Sequence, residues 1–222
     1  MNKNTDYYTE QPVNETLATF KVQANKGLSD AEAARRIKQY GYNEIEEKEE
    51  AVWHRLFRRF WGPIPGMIEI AALLSALVQK WEDFIIIMVM LLVNVGLDFF
   101  QEHRALNALK ALKARMALEI TILRDGAFRK IAARELTPGD LIKLRIGDIV
   151  PADVQLLSGD YLLIDQSALT GESLPVSRKT NEVAYANTIV KQGEMLAVVV
   201  NTGSRTRFSN VVSLVASAQL EE

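Results

Sequence analysis

A carboxylate stands between small and hydroxyl-bearing residues in the sequence DQSALTGESLPV, Asp165 to Val176. The centre of this sequence is Thr170, Gly171, Glu172 and Ser173. A glycine lets the backbone come close to a ligand, and a carboxylate within hydrogen-bond reach of a water can orient that water and accept its proton. The same four residues are also typical of a plain surface turn. The rest of the chain must therefore decide whether Glu172 has a chemical or a structural role.

Composition excludes several classes of site. The 222 residues are 48% hydrophobic and carry a formal net charge of −2, whereas a nucleic-acid-binding surface is strongly basic. The absence of cysteine from the sequence excludes disulfides, thiolate metal ligands and a cysteine nucleophile. The two histidines, His54 and His103, stand far apart in the sequence. We therefore expect no nucleic-acid partner and no metal site in this chain.

Two long apolar runs, Ile64–Val78 and Phe84–Phe100, contain one charged residue each, Glu69 and Asp98. A helix of about seventeen residues is about 25 Å long, near the lower limit for crossing the hydrocarbon core of a bilayer. The alternative, a hairpin buried in a soluble protein, needs a much larger surrounding domain than this chain supplies. We predict a transmembrane hairpin over 63–104, with helices at about 63–80 and 82–102.

Basic residues outside the two runs set the expected orientation. They are Arg55, Arg58 and Arg59 before the first run, and Arg104, Lys110, Lys113 and Arg115 after the second. The connection between the runs has only Lys80. By the positive-inside rule, both termini are expected to be cytoplasmic. The segment HRLFRRFWGP mixes arginine with aromatic residues, which favours a membrane-surface position over the alternative of a solvated amphipathic helix.

The N-terminal segment, 1–62, is expected to be cytoplasmic. Its first twenty residues have no strong hydrophobic period and are interpreted as a loose polar lead-in. Ser29 followed three residues later by Glu32 is a capping box. The pattern after it predicts a small helix over 29–40, which ends at Gly41.

The hydrophobic period after the second apolar run stays helical, which predicts a stalk helix over 105–118. From Glu119 the period changes to two, and 119–215 is predicted to be a mainly β domain. ITILRDGAFRKI is predicted as a hairpin with Asp125-Gly126 at its turn, and DLIKL, DIVPADVQLL, DYLLIDQ and MLAVVVNTG as further strands. Asp140 and Asp153 are interpreted as turn formers rather than catalysts.

Several motifs, in order along the chain, resemble the N-terminal third of a P-type ATPase. ELTPGDLIKLRIGDIVPADVQLL, DQSALTGESLPV and VKQGEMLAVVVNTGSRT carry the resemblance, and GLSDAEAARRIKQYGYNEI is similar to the family's N-terminal segment. The resemblance implies a membrane protein of the α+β class. Its parts would be a two-helix transmembrane hairpin and an actuator domain, which is a mainly β distorted jelly roll with N-terminal helices.

In this family ATP phosphorylates an aspartate in a DKTG motif, and the actuator domain then places its TGES loop on the phosphoaspartate. The resemblance implies that Glu172 orients the hydrolytic water and accepts its proton. Gly171 would allow close approach to the phosphate, while Thr170 and Ser173 would supply hydrogen-bond donors. ATP and Mg²⁺ are the implied cofactors of the full-length family. They would be bound by domains outside this chain, and no cofactor is expected for this chain alone.

No DKTG motif is present in the sequence, so the chain by itself is expected to be inactive. Its expected partners are the lipid bilayer and the remaining phosphorylation, nucleotide-binding and transmembrane domains of the pump. A part of an ion pump and a split enzyme completed by a second chain are two open interpretations. A third is a non-catalytic, membrane-anchored binding or regulatory module.

Within the family, DQSALTGES and WEDFIIIMVMLLVNVGLDFFQE look most like the plasma-membrane proton pumps. The resemblance implies H⁺ as the transported cation, with another cation as the alternative, and a multi-pass position in the plasma membrane. Asn94 stands mid-span, where an unpaired amide is costly. It is either a gate residue of the ion path, as implied by a similarly placed asparagine in the proton pumps, or an interhelical hydrogen bond. Glu69 and Asp98 are further ion-path candidates or interfacial charges.

Overall fold

The computed structural model describes residues 5–45, 63–115 and 118–218. The chain forms two compact units, one made of Met1–Glu46 together with Ala117–Glu222, and the other of Glu47–Met116. The predicted membrane-surface segment HRLFRRFWGP falls, apart from its final proline, outside the described residues. The predicted domain boundaries stay predictions.

Two helices lie within residues 7–20, so the prediction of a loose lead-in is wrong for this part of the chain. Helix α1 is Tyr7–Glu10 and helix α2 is Val13–Phe20. Both are short, and α2 follows Pro12 without a side-chain cap, so neither length nor a capping signal marks them in the sequence. Val13 and Leu17 are buried. Packing of this face, rather than intrinsic propensity, stabilises such a short helix.

Helix α3, Asp30–Tyr40, begins where the capping signal indicated. The backbone N–H of Glu32 donates to Ser29 Oγ at 3.2 Å. The carboxylate of Glu32, however, accepts from Arg35 Nη2 and Arg36 Nε, each at 2.7 Å. These two arginines lower the pKa of Glu32 to about 2, with the hydrogen bond from Arg35 as the larger cause.

The second unit contains two helices, α4 (Pro63–Leu77) and α5 (Trp81–Arg115). Among the described residues, one helix is long and apolar enough to cross a membrane: Trp81–Leu109, which contains an 18-residue window with a mean hydropathy of 2.2. Over the described residues, which resume at Pro63, helix α4 has 15 residues, or about 22 Å, compared with a hydrocarbon core of roughly 30 Å. The two-helix transmembrane hairpin therefore stays a prediction. Helix α5 continues without a break through most of the predicted stalk.

The remainder of the first unit is a β domain, as the period of two predicts. Its strands are β1 (Glu119–Arg124), β2 (Ala127–Ala132), β3 (Leu141–Arg145), β4 (Asp153–Ser158), β5 (Leu162–Asp165), β6 (Val176–Arg178), β7 (Val183–Ala184) and β8 (Ile189–Asn201). The two short strands β6 and β7 were not predicted. The β1–β2 turn is formed by Asp125 and Gly126, with φ of 50° and 79°, and these positive values are what a two-residue hairpin turn requires.

The strands form one eight-stranded sheet. Its main path has the order β2-β1-β3-β8-β4-β7, while β5 pairs with both β6 and β8. Every strand pair is antiparallel. The N-terminal part of β8 pairs with β5, and its C-terminal part lies between β3 and β4. The structure therefore confirms the α+β class with a β-sheet domain, and the jelly-roll description stays a prediction.

Both faces of this sheet contribute side chains to a buried core. Side chains alternate between faces along a strand, so Ile142 and Leu144 lie on one face of β3 and Leu141 on the other. The first face is part of a core formed by the strands and their loops. The second face packs against side chains from the N-terminal helices, among them Val13 and Leu17. Helices α1 and α2 thus share the second of these cores with the sheet.

Two aspartates interpreted from the sequence as turn formers are buried. Asp140 does close a turn, because its N–H donates to Thr137 O at 3.0 Å. Its carboxylate also pairs with Arg124 at 2.6 Å, with 0% and 6% of the two side chains exposed. These contacts tie the end of β1 to the turn that precedes β3.

For Asp153 the turn interpretation is wrong. Its carboxylate accepts from the Thr5 hydroxyl at 2.6 Å and from the backbone N–H groups of Ala186 and Arg207, each at 2.8 Å. Arg207 is the first residue of helix α7, Arg207–Ala218. Burial raises the pKa of Asp153. This carboxylate therefore joins the N-terminal segment, β4 and the start of α7.

Candidate functional site

The candidate site is a loop that follows β5. Helix α6, Ser167–Thr170, is a single turn between the end of β5 and Gly171. At its start, the Ser167 N–H donates to Asp165 Oδ1 at 3.0 Å. At its end, the Gly171 N–H donates to Ser167 O at 2.9 Å. The backbone leading to Glu172 is thus held at both ends of this turn.

Gly171 has a left-handed conformation, with φ of 76° and ψ of −5°. Glycine adopts this conformation at no steric cost, whereas other residues are strained there. A Cβ at this position would meet nothing within 4 Å. Within this chain the glycine is therefore required by the backbone angle and not by the space around it.

Glu172 is held through its backbone and presents its side chain to solvent. Its N–H donates to Thr170 Oγ1 at 3.3 Å, and the Thr170 hydroxyl donates to Gln166 O at 3.2 Å. All six residues from 170 to 175 are exposed, and Leu174 is 81% exposed. The loop thus offers a carboxylate and an apolar side chain outward from the sheet, in reach of a surface that approaches it.

The base of the loop contains a charged residue, Asp165, with two partners. Hydrogen bonds from Ser167 are the main cause that lowers the pKa of Asp165, and Lys191 adds to it. Lys191 Nζ lies 3.3 Å from Asp165 Oδ2. Asp165 is therefore a charged anchor between β8 and the first amide of the loop.

The structure places the predicted site residues in two groups. Thr170, Gly171, Glu172 and Ser173 are consecutive in the exposed loop of the sheet unit. The ion-path candidates are on the helices of the other unit: Glu69 in α4, and Asn94 and Asp98 in α5. Asn94 and Asp98 are four residues apart and so share one face of α5. The functional roles of all seven residues stay predictions.

Within residues 5–45, 63–115 and 118–218, no group of three or more His, Cys, Asp or Glu side chains is arranged to hold a metal ion. Magnesium therefore has no candidate ligand set in the described part of the chain.

Sequence reasoning missed Lys191 and its contact with Asp165. The available signal was the glycine in VKQGEM, because a glycine inside a strand pattern often marks a bulge. The predicted strand began only at Met195, whereas β8 begins at Ile189. The six residues that bring Lys191 beside the loop were therefore left without an assignment.

Comparison with known proteins supplies the context for this loop. Residues 114–216 match the P-type ATPase actuator domain, and residues 8–75 match the N-terminus of the cation transporter/ATPase family. A protein of Methanocaldococcus jannaschii, described as a cation-transporting ATPase, is 50% identical over 207 residues, which cover 93% of this chain and 26% of the relative. A zinc-transporting PIB-type ATPase solved in an E2·Pi state is 32% identical over 47% of this chain and 17% of that chain, with a TM-score of 0.43.

The sheet unit with its exposed loop defines an actuator domain, because the actuator-domain match covers every strand of that unit. The chain belongs to the P-type cation ATPases, of which it is an N-terminal part. It spans about a quarter of the length of the M. jannaschii relative. The family and the long apolar helix in α5 also indicate association with a membrane.

Proposed function

We propose that this chain is the N-terminal part of a pump that couples ATP hydrolysis to cation transport, and that its exposed loop drives dephosphorylation. The observation that carries the proposal is the placement of Glu172. Its carboxylate is exposed at the end of a hydrogen-bonded turn whose base is tied to the sheet. A reactive group on a loop positioned by a rigid scaffold is a common arrangement for catalysis.

The proposed step is hydrolysis of an aspartyl phosphate on another domain of the pump. Glu172 orients a water, whose oxygen forms a bond to phosphorus as the bond between phosphorus and the aspartate oxygen breaks. The proton of the water passes to Glu172, and the products are inorganic phosphate and the free aspartate carboxylate. Placing the water and managing charge are the main catalytic demands of phosphoryl transfer.

Gly171 and the two hydroxyl residues have supporting roles in this proposal. The open space at Gly171 lets the backbone approach the phosphate closely. Thr170 already fixes the Glu172 amide through its hydroxyl, and Ser173 supplies a further donor. Because the loop must dock to act, the movement that brings it to the phosphate also couples dephosphorylation to the membrane helices.

The cofactors and cargo of the complete enzyme are part of the same proposal. ATP would donate the phosphoryl group and Mg²⁺ would offset its charge, both bound by domains outside this chain. We propose H⁺ as the cation, on the likeness of DQSALTGES and the α5 sequence to proton pumps, with Asn94 as a gate and Glu69 and Asp98 along the path. The pump would be multi-pass in the plasma membrane, with both ends of this chain cytoplasmic.

The test is a chimera in which this chain replaces the matching 207-residue region of the M. jannaschii relative. Phosphoenzyme that is labile to hydroxylamine is followed in membranes after a pulse of ATP. We expect Glu172→Gln to leave phosphoenzyme formation intact and to slow its decay by about 100-fold or more. Asp160→Asn, which removes an exposed carboxylate two residues before β5, is the matched control and should decay at the native rate. Equal decay in all three proteins would reject the catalytic role of Glu172.

The cation is tested separately in sealed vesicles that contain the same chimera. A pH-sensitive dye reports H⁺ uptake driven by ATP, and radiolabelled Na⁺, Ca²⁺ and Zn²⁺ report the alternatives. Proton transport predicts acidification that persists when the other cations are chelated or omitted. Uptake of a labelled cation without acidification would reject H⁺ while leaving the dephosphorylation role of Glu172 unaffected.

A further inference from the structure

Strand β8 has one residue more than β5 where the two strands pair. Leu163 lies opposite Gln192, but the next residue, Ile164, lies opposite Val190, so Lys191 has no partner on β5. This two-against-one pairing is a β-bulge. Bulges are frequent beside active sites, where they change the direction of a side chain.

The bulge changes which side chains of β8 face outward. Val190 is buried, whereas Lys191 and Gln192 are both exposed in succession, which breaks the ordinary alternation of a strand. Lys191 Nζ lies 3.3 Å from Asp165 Oδ2, with 47% of the lysine and 20% of the aspartate side chain exposed. The extra residue in β8 therefore supplies a positive charge to the last residue of β5.

The two oxygens of Asp165 have different partners. Oδ2 faces Lys191, and Oδ1 accepts the Ser167 N–H at 3.0 Å. Ser167 O in turn accepts the Gly171 N–H, directly before Glu172. A continuous set of contacts thus runs from the bulge, through one carboxylate and one helical turn, to the residue that carries the proposed chemistry.

We propose that Lys191 is a positioning residue for Glu172, which acts by fixing the orientation of the Asp165 carboxylate at the base of the loop. This inference rests on the proposed function of the loop. In the proposed dephosphorylation step, Lys191 contacts no reacting atom. Its contribution is to narrow the range of loop orientations, so that Glu172 meets the phosphate in the correct position more often.

The exposure of the Lys191–Asp165 ion pair decides whether its effect should appear in stability or in kinetics. An ion pair this exposed contributes little to unfolding free energy, typically about 0–1 kcal/mol. Loss of Lys191 should therefore be almost silent in the stability of the sheet. The loss of Lys191 should instead lower the rate of phosphoenzyme decay, which is the step that depends on the loop.

The kinetic test uses the chimera described above, with Lys191→Met, Lys191→Arg and Asp165→Asn. We expect Lys191→Met to slow phosphoenzyme decay by about 3-fold, a change within the range of such ion pairs, without altering phosphoenzyme formation. Lys191→Arg should restore the native decay rate. The Lys191→Met change should have no further effect when Asp165 is already asparagine, since the two residues act as one unit. Lys130→Met, an exposed lysine on β2, is the matched control.

A second measurement does not depend on catalysis. Hydrogen exchange of the amides in residues 166–172 of the native chain, in detergent, should become faster in Lys191→Met and remain unchanged in Lys130→Met. Unchanged decay in Lys191→Met, in a chimera where Glu172→Gln does slow decay, would overturn the positioning role alone. Unchanged decay in Glu172→Gln would instead reject the proposed function of the loop, so the two failures are distinguishable.

Discussion

The sheet and the loop after β5 belong to the same unit but differ in what their side chains contact. Leu144 and Leu156 of the sheet are fully buried, and the charge of Asp140 is paired inside the domain. In the loop, Glu172 is exposed and Leu174 is 81% exposed. Burial of apolar surface is the main stabilising term in folding. Most of the unfolding free energy of this unit should therefore come from the sheet. Substitutions in the two regions should therefore affect different measurements.

The largest effect on stability is expected at the buried ion pair. Asp140→Ala removes the carboxylate that pairs with the buried Arg124 guanidinium, which keeps a hydrogen bond to Glu135 O at 3.1 Å and a 3.9 Å contact with Asp30. Because the remaining partners do not replace a carboxylate at 2.6 Å, the unfolding free energy should fall by about 3–5 kcal/mol. Pulse proteolysis in urea is a suitable measurement, because the three tryptophans, at positions 53, 61 and 81, lie outside the sheet unit. The double variant Arg124→Met, Asp140→Leu is the control, and it should recover most of the loss. A double variant as unstable as Asp140→Ala would contradict this account of the pair.

The sheet and the loop are compared most directly when a leucine is replaced by alanine in each of them. Leu144→Ala removes a fully buried side chain and should cost about 3 kcal/mol, through lost burial and the cavity that remains. Leu174→Ala in the exposed loop should change unfolding free energy by less than about 0.5 kcal/mol. The same urea assay measures both. Equal losses would mean that the loop is packed against the unit, contrary to its exposure here.

A smaller effect is expected where the N-terminal segment meets the sheet. Thr5→Val keeps the shape of the side chain but removes the hydroxyl that donates to Asp153 at 2.6 Å. A hydrogen bond to a charged group contributes about 1.5–3 kcal/mol, so we expect a loss near the lower end of that range. Thr19→Val, whose hydroxyl bond is exposed, is the control in the same assay. Identical results for both variants would show that the Thr5 hydroxyl does not stabilise the junction between the N-terminal segment and Asp153.

The smallest effect concerns pH. The pKa of Glu32 is lowered to about 2, first by Arg35 and then by Arg36. A carboxylate with a depressed pKa in the folded state stabilises above its ordinary pKa, near 4.5, and loses that contribution as pH falls towards 2. NMR titration of the Glu32 carboxyl carbon should find this midpoint, and Arg35→Met should raise it. A midpoint near 4.5 in the native chain would show that the arginines do not hold this carboxylate in solution.

Much of the sheet could be predicted from the sequence, because alternation and turn chemistry are local signals. The Asp125-Gly126 hairpin and the strands within DLIKL, DYLLIDQ and MLAVVVNTG follow from them. The class of the protein also followed, since ordered motifs are more specific than any one of them. Strands β6 and β7 were missed because two or three residues are too few to show a period.

Contacts between segments that are distant in the sequence could not be predicted from it. The N-terminal helices are stabilised by the second face of the sheet, more than a hundred residues away in sequence. Asp153 looked like a turn residue until Thr5 and Arg207 were found beside it. Lys191 became part of the candidate site only through the register of β5 and β8. In each case the deciding partner is set by tertiary structure.

The most direct test of this account is the decay rate of the phosphoenzyme in the chimera, measured beside the unfolding free energy of the same variant. For Glu172→Gln we predict decay slowed by about 100-fold or more and unfolding free energy changed by less than about 0.5 kcal/mol. That result would show that the loop determines the rate of dephosphorylation without contributing measurably to the unfolding free energy of the unit. Native decay in Glu172→Gln, in membranes where phosphoenzyme forms normally, would contradict the central claim that this carboxylate drives dephosphorylation.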